Sequence, residues 1–328
     1  MPAKGIFNPY GIRRKGDKEQ FYTTKETADE CVKIMLDHLN EYKSKGMLKH
    51  GLDEYTFLEP CAGKGVFCDQ LKENGISEDK IIGIDIDPQN KDVVKQDFFD
   101  YDVETQLKKP IIVLTNPPFG RGSSQAIKFF NRCAEFAHTI GFIAPMSWKS
   151  KFYIHDQLDL RYFCWENKTL TGECFHDENG NNHPDSHLKC VFQIWVYIGI
   201  EERKKRGEFR SNDFDFVFPK NRWDRFKKIK GRSIFQKDVD AEWGLHKPEF
   251  LIRTHGAKAG TILDGLNHST RSSIGIVPKT NEPVKEILSH CDFSKFLESH
   301  AYIPSLTPAE ISWIYEEQKH SIKNKLEK

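Results

Sequence analysis

Between Tyr55 and Ile143 short apolar runs alternate with amphipathic stretches. The runs Tyr55–Leu58, Lys80–Ile84, Val93–Val94, Ile111–Leu114 and Ile140–Ala144 read as strands. Three segments, Ile81–Ile84, Ile111–Leu114 and Phe142–Ala144, are apolar throughout, as strands buried on both faces of a parallel sheet must be. Helix-like stretches lie between them at Val66–Asn74 and Ser124–Ala137, and Lys25–Tyr42 precedes them as an amphipathic helix. Strands separated by helices predict a doubly wound α/β sheet. The β-prone run Leu188–Ile200 follows an Asn-Gly turn signal in DENGNN, which separates it from Cys174 and Phe175. That pattern predicts a hairpin added to the sheet edge. Glu201–Arg210 is a charged linker, and residues 211–300 are less regular. Near the end, Thr307 is placed to cap a helix, Pro308 to occupy its first turn and Glu310 to close a capping box. The expected organisation is a basic arm over residues 1–19, an α/β domain over 20–200 and a smaller region over 201–328.

Composition narrows the class. With 38% hydrophobic and 30% charged residues, a packed core is feasible and global disorder is excluded. No apolar run approaches the roughly 18 residues of a membrane helix, and the first 20 residues lack the apolar core of a secretory leader. Eight cysteines with no CxxC pair read as reduced thiols of an intracellular protein. The net charge is only +1, but Glu201–Thr280 holds 18 Lys and Arg against 11 Asp and Glu. Arg13, Arg14 and Lys15 add a small basic arm. Such asymmetry suits a polyanionic partner; a solvated basic face is the plainer alternative.

The segment LEPCAGKGVF, Leu58 to Phe67, follows a strand and opens a helix. Gly63 and Gly65 let the backbone turn tightly and approach a ligand closely. Two glycines do not make the GxGxxG dinucleotide fingerprint. The next strand ends in Ile84-Asp85-Ile86-Asp87-Pro88. Asp85 directly follows the apolar run and is placed to accept from ribose hydroxyls, whereas Asp87 reads as a turn carboxylate. The strand end after that gives Asp97 and Phe98. Asp97 can accept from an adenine amino group and Phe98 can flank the ring, or Asp97 can simply cap a helix.

IIVLTNPPFG, Ile111 to Gly120, carries the chemistry. Pro117 and Pro118 fix the backbone and remove two N–H donors, which leaves carbonyls to point into a pocket. Asn116 adds an amide oxygen and Pro117 a rigid carbonyl. An exocyclic base amine is a poor nucleophile because its lone pair is delocalised into the ring. Two acceptors gripping its N–H groups would free that lone pair to attack a sulfonium methyl, by positioning and electrostatics and without a metal. Phe119 offers a face on which the base could stack.

With its Asn-Pro-Pro-Phe stretch, the chain resembles the amino-methyltransferases of nucleic acids, whose signature is Asn, Asp or Ser, then Pro-Pro, then an aromatic residue. The order of parts resembles the gamma class of DNA adenine-N6 methyltransferases. The resemblance covers residues 18–200. It implies a Rossmann-like methyltransferase sheet, S-adenosylmethionine as cofactor and double-stranded DNA as partner, as in restriction-modification enzymes. It further implies that Phe21, Tyr22 and Thr23 contact the methionine end of the cofactor. Glu59, Pro60, Cys61, Gly63, Gly65, Asp85, Ile86, Asp97, Phe98 and Asn116 would complete that site. Asn116, Pro117, Pro118 and Phe119 would form the catalytic turn, with residues 201–328 as a target-recognition region. The sequence departs in carrying Cys61 in the glycine turn and Phe119, rather than Tyr, at the end of the motif.

Weaker features leave alternatives. Arg121 can meet a phosphate, and Ser123 or Ser124 can cap the following helix. Trp148 can wall the base pocket or pack in the core. Arg222, Trp223 and Lys227 lie in a stretch that interleaves basic and aromatic residues, as nucleic-acid contacts do, although Trp223 and Phe226 could share a buried stripe. Cys174, His176, His183, His187 and Cys190 match no zinc-finger spacing and read as a polar hairpin loop, so no metal is expected. His246, His255 and His268 have no supporting pattern. Rival functions are an RNA adenine-N6 methyltransferase, a protein glutamine N5-methyltransferase and a binding module that kept the fold without catalysis.

Overall fold

The structure, a computed structural model, describes residues 22–46, 48, 50–107, 110–176, 180–181, 189–197, 199, 202–218, 226–229, 232–235, 243, 247–263, 265–266, 272–297 and 304–326. The chain divides into two compact units. One is Met1–Lys149 with Ile154–Lys204, and the other is Ser150–Tyr153 with Lys205–Lys328.

The first unit is built on a mixed seven-stranded sheet. Its strands are β2 (Thr56–Glu59), β3 (Ile81–Asp85), β4 (Val94–Lys95), β5 (Ile111–Thr115), β6 (Ala137–Pro145), β7 (Tyr162–Thr169) and β9 (Cys190–Tyr197), in the order β4-β3-β2-β5-β6-β9-β7. The first five run parallel, and β9 is antiparallel to both β6 and β7. All five expected strands are present. β5 is buried at every position, which fits its apolar run Ile111–Leu114, and β2 is buried throughout although it begins with Thr56 and ends with Glu59. β6 begins earlier than its apolar run because Ala137 and Thr139 already pair with Ile111 and Ile112. The helix before it, α4 (Ser124–Cys133), is correspondingly shorter than expected.

The helices cover the sheet through apolar stripes. α1 (Lys25–Ser44) buries Ala28, Cys31, Val32, Met35, Leu39 and Tyr42, which recur every three or four residues. Each large apolar side chain so buried contributes roughly 1.5–3 kcal/mol. Thr24 caps this helix by accepting from Thr27 N–H at 3.3 Å. α1 packs against Gly141 of β6, where an added Cβ would lie 2.5 Å from Met35 Cε, the movable end of a side chain. α2 (Val66–Glu73) links β2 to β3, and the short α3 (Val103–Gln106) precedes β5.

The expected edge hairpin forms with a different first arm. β9 pairs with β7, whereas Phe175 and His176 form β8 and pair with β1, Tyr22–Thr23. β7 is not announced by an apolar run because it is an edge strand. Phe163 and Trp165 stay exposed, and Glu166, Asn167 and Lys168 occupy its second half.

The second unit holds a four-stranded antiparallel sheet in the order β10-β15-β13-β14, from β10 (Phe214–Val217), β13 (Phe250–Arg253), β14 (Ile262–Leu263) and β15 (Ser273–Pro278). β11 (Phe226–Ile229) and β12 (Arg232–Phe235) form a separate hairpin. Helices Val284–His290, Ser294–Leu297 and Pro308–Leu326 complete it. The last starts as the sequence predicts. Thr307 Oγ1 accepts from Glu310 N–H at 3.3 Å, and Glu310 Oε2 accepts from Thr307 N–H at 2.9 Å. The same carboxylate oxygen accepts from Lys151 Nζ at 3.1 Å, in an ion pair with side chains 1% and 0% exposed. Among the described residues, no helix is long and apolar enough to cross a membrane.

Candidate active site

Strand order locates the site. Order reverses between β2 and β5, neighbours in the sheet whose outgoing chains lead to α2 and α4. In open α/β sheets the crevice at the carboxyl ends of strands at such a switch point is where ligands bind. Both motifs singled out in the sequence leave their strands there.

After β2 the chain turns on glycine. Gly63 has φ +51° and Gly65, the N-cap of α2, has φ +81°, conformations that favour a residue without Cβ. The turn is fastened on both sides. Ala62 N–H donates to Ile84 carbonyl at 2.9 Å, and Gln89 N–H donates to Gly63 carbonyl at 2.9 Å. Asp85 completes it: Oδ2 accepts from Gly63 N–H and Oδ1 from Asp87 N–H, each at 2.8 Å. A carboxylate has room for further donors, so Asp85 can both brace the turn and accept from a diol. Ile86, next to it, is 64% exposed.

Glu59 is buried at the end of β2 and accepts from the Cys68 thiol at 3.4 Å. Desolvation pushes its carboxyl well above the usual range. Burial also raises the Cys61 thiol strongly, which removes it as a thiolate nucleophile.

After β5 the chain turns on proline. Asn116 is half-buried, and its amide Nδ2 donates to Thr23 Oγ1 at 3.1 Å. Pro117 is buried and Pro118 half-buried. Gly120 then takes φ +69°, where an added Cβ would meet Gln125 N at 3.0 Å. Phe119 carbonyl accepts from Gln125 N–H and Ala126 N–H at 3.2 and 3.3 Å, which ties the turn to the start of α4.

β1 joins the two turns. Tyr22 lies over the glycine turn, 3.3 Å from the position of a Cβ on Gly63, and Lys64 Nζ sits 4.6 Å from its ring centroid. Thr23, buried at 5% exposure, reaches Asn116. β8 holds this strand in place: Tyr22 stacks on His176 at 5.7 Å, and Thr24 N–H donates to Cys174 carbonyl at 3.0 Å. Tyr22, Thr23, Gly63, Asp85 and Asn116 are thus linked by direct contacts. The contacts of Thr23 with Asn116 and of Lys64 with Tyr22 were not anticipated. No local signal announces them, since Thr23 and Asn116 are 93 positions apart.

Four expectations are revised. Phe119 is 5% exposed and belongs to the core, so its ring offers no open face to a base. Phe98 is 2% exposed and stacks on Phe129 at 5.7 Å, so it packs in an aromatic cluster and does not flank a ligand. Trp148 is fully buried and stacks on Phe142 at 5.4 Å, which removes it as a nucleic-acid contact. Ser123 is the N-cap of α4 but sits at φ +66° and accepts no helix N–H.

The remaining residues divide. Asp97 Oδ1 caps a short 3-10 turn by accepting from Phe99 N–H at 2.9 Å, the capping role weighed for it, while its side chain stays half-buried at the strand end. Arg121 is exposed just beyond the proline turn. Phe21, His183, His187, Arg222 and Trp223 lie outside the described residues, as do the basic arm 1–19 and the side chain of Lys227. Among the described residues no three His, Cys, Asp or Glu side chains cluster to hold a metal.

The chain matches no family model and no curated protein sequence. It is similar in structure to a protein assigned as an RNA methyltransferase from Pyrococcus horikoshii, at 18% identity and a TM-score of 0.37, over 56% of this chain and 92% of that one. A type I restriction-modification system methyltransferase subunit from Streptococcus thermophilus shares 12% identity at a TM-score of 0.39, over 67% of this chain and 51% of the other. A 23S rRNA methyltransferase shares 12% identity at 0.36, over 57% and 74%.

Proposed function

We propose that this protein transfers a methyl group from S-adenosylmethionine to an exocyclic amino nitrogen, the N6 of adenine in DNA. The observation that carries this reading is the pairing of two turns at the switch point: a glycine turn braced by Asp85, and a proline turn that presents Asn116.

The residues of the first turn fit the cofactor. Asp85 is placed for the ribose hydroxyls, exposed Ile86 for one face of the adenine and Asp97 for its amino group. Tyr22, Glu59, Pro60, Cys61, Gly63 and Gly65 would surround the methionine end. When bound there, S-adenosylmethionine supplies an electrophilic methyl on a sulfonium centre.

The second turn handles the substrate. Asn116 Oδ1 and the Pro117 carbonyl would each accept one N–H of the target amine. Two acceptors on one nitrogen draw its hydrogens out of the ring plane and release the lone pair for attack. Pro117 and Pro118 sharpen this preference, because neither contributes an N–H that would repel the amine. Such pre-set dipoles need not reorganise during the reaction.

DNA as partner rests on the positive excess in residues 201–280 and on exposed Arg121. Residues 20–200 would then form the catalytic domain, and 201–328 the target-recognition region that uses Arg222, Trp223 and Lys227. A target adenine inside a duplex must leave the base stack to reach Asn116.

The test is transfer of radiolabelled methyl to matched DNA and RNA duplexes and to protein, with the product nucleoside identified after digestion. Label in DNA as N6-methyladenine is the expected outcome. Label confined to RNA would make this an RNA adenine methyltransferase, and label confined to glutamine a protein methyltransferase. Cofactor binding without transfer to any of them would leave a binding module.

A further inference from the structure

We propose that Thr23 is a positioning residue for the transfer step, holding the Asn116 amide with its oxygen toward the target amine. The inference rests on the methyl-transfer reading above and assigns Thr23 a task other than contact with the cofactor.

An asparagine amide can rotate by half a turn and exchange its oxygen with its nitrogen. Only one orientation serves an amine substrate. With the oxygen forward, Asn116 accepts an N–H of the amine. With the nitrogen forward, two donors face each other and binding fails. Choosing the productive orientation requires an acceptor for the Asn116 nitrogen at the rear. Thr23 Oγ1 occupies that place, 3.1 Å from Nδ2.

The site for this acceptor is built. Thr23 is 5% exposed, so water cannot freely replace it. Its neighbour Thr24 is engaged elsewhere, as cap of α1. The backbone of Thr23 is fixed by pairing with Phe175 in β8. A threonine hydroxyl can also donate, so free Asn116 could in principle meet it by either end. Once the oxygen takes a substrate N–H, the nitrogen needs an acceptor, and the Thr23 hydroxyl stands at 3.1 Å to serve as one. The hydroxyl therefore favours the arrangement that the transition state uses.

Thr23→Val keeps shape and β-branching but removes the hydroxyl, and Thr23→Ser keeps the hydroxyl. Thr23→Val should lower kcat at saturating cofactor about 10- to 100-fold. Thr23→Ser should restore most of kcat. In parallel, the Asn116 side-chain amide should show slow hydrogen exchange by NMR in the native protein and in Thr23→Ser, and fast exchange in Thr23→Val. The proposal is overturned if Thr23→Val retains native kcat, or if it loses cofactor affinity while kcat at saturating cofactor stays native. An Asn116 amide signal unaffected by Thr23→Val overturns it as well. These failures differ from failure of the methyl-transfer reading, in which the native protein itself methylates none of the substrates while the NMR comparison still reports on Thr23 and Asn116.

Discussion

After β2 the chain turns on two glycines at positive φ; after β5 it turns on two prolines without N–H groups. Both turns leave adjacent parallel strands at the same end of the sheet. The first has its N–H groups engaged within the protein. Gly63 directs its N–H to Asp85, and Ala62 and Gly65 make further backbone bonds. The second lacks the N–H groups of Pro117 and Pro118, and its Asn116 amide nitrogen donates to Thr23 Oγ1. The difference assigns the turns distinct partners. A braced turn of residues without Cβ suits a ligand that needs close backbone approach. A rigid, acceptor-rich turn suits a ligand that brings N–H groups.

The largest expected effect comes from emptying the acceptor turn. Asn116→Ala should lower kcat about 100- to 1,000-fold, the loss typical of one pre-set transition-state contact. Cofactor affinity by calorimetry should survive; a variant that turns over at the native rate would refute the division between the turns. Asp85→Ala should act on the other turn. It removes the charged acceptor of two backbone N–H groups, each such bond being worth about 1.5–3 kcal/mol, so cofactor affinity should fall about 10-fold or more. Unchanged affinity would remove Asp85 from the site. Gly65→Ala should cost about 1–2 kcal/mol of stability, from a side chain forced into the left-handed region. The added Cβ would meet Asn90 Nδ2 at 2.8 Å, but that is the movable end of a side chain, so strain and not collision dominates. A thermal midpoint equal to that of the native protein would show that the turn relaxes. The smallest effect is expected at Pro118→Ala, which restores one N–H and loosens the turn by about 0.4–1 kcal/mol. A modest fall in kcat with native cofactor affinity would place Pro118 with the acceptor turn; a fall in affinity would blur the comparison.

The two turns were legible because their chemistry is local. Positive φ and missing N–H groups are properties of glycine and proline themselves, readable wherever they follow an apolar run. The parallel strand β5 was legible because burial at every position gives it the apolar run Ile111–Leu114, and β2 was legible from Phe57 and Leu58 despite Thr56 and Glu59 at its ends. β7 was not legible. An edge strand with one solvated face tolerates Glu166, Asn167 and Lys168, and such a run looks like a loop. The aromatic residues misled in a consistent direction. Phe98, Phe119 and Trp148 each follow a strand end, where a ligand could meet them, and each is taken up by the core. A large apolar ring gains as much from core packing as from a ligand face, and sequence does not record which neighbours are within reach.

Sequence alone determined the alternation of strands and helices, the two kinds of turn, the capping box at Thr307 and the uneven charge, because each depends on residues within a few positions of one another. Tertiary structure decided that β8 comes back to clasp β1, that Thr23 meets Asn116 and that Lys151 pairs with Glu310 in a buried site. Those contacts join residues 93 and 159 positions apart in the two hydrogen-bonded pairs. Their formation depends on where packing brings the backbone, and hydrogen-bonding capacity written into a side chain does not say which distant group will use it.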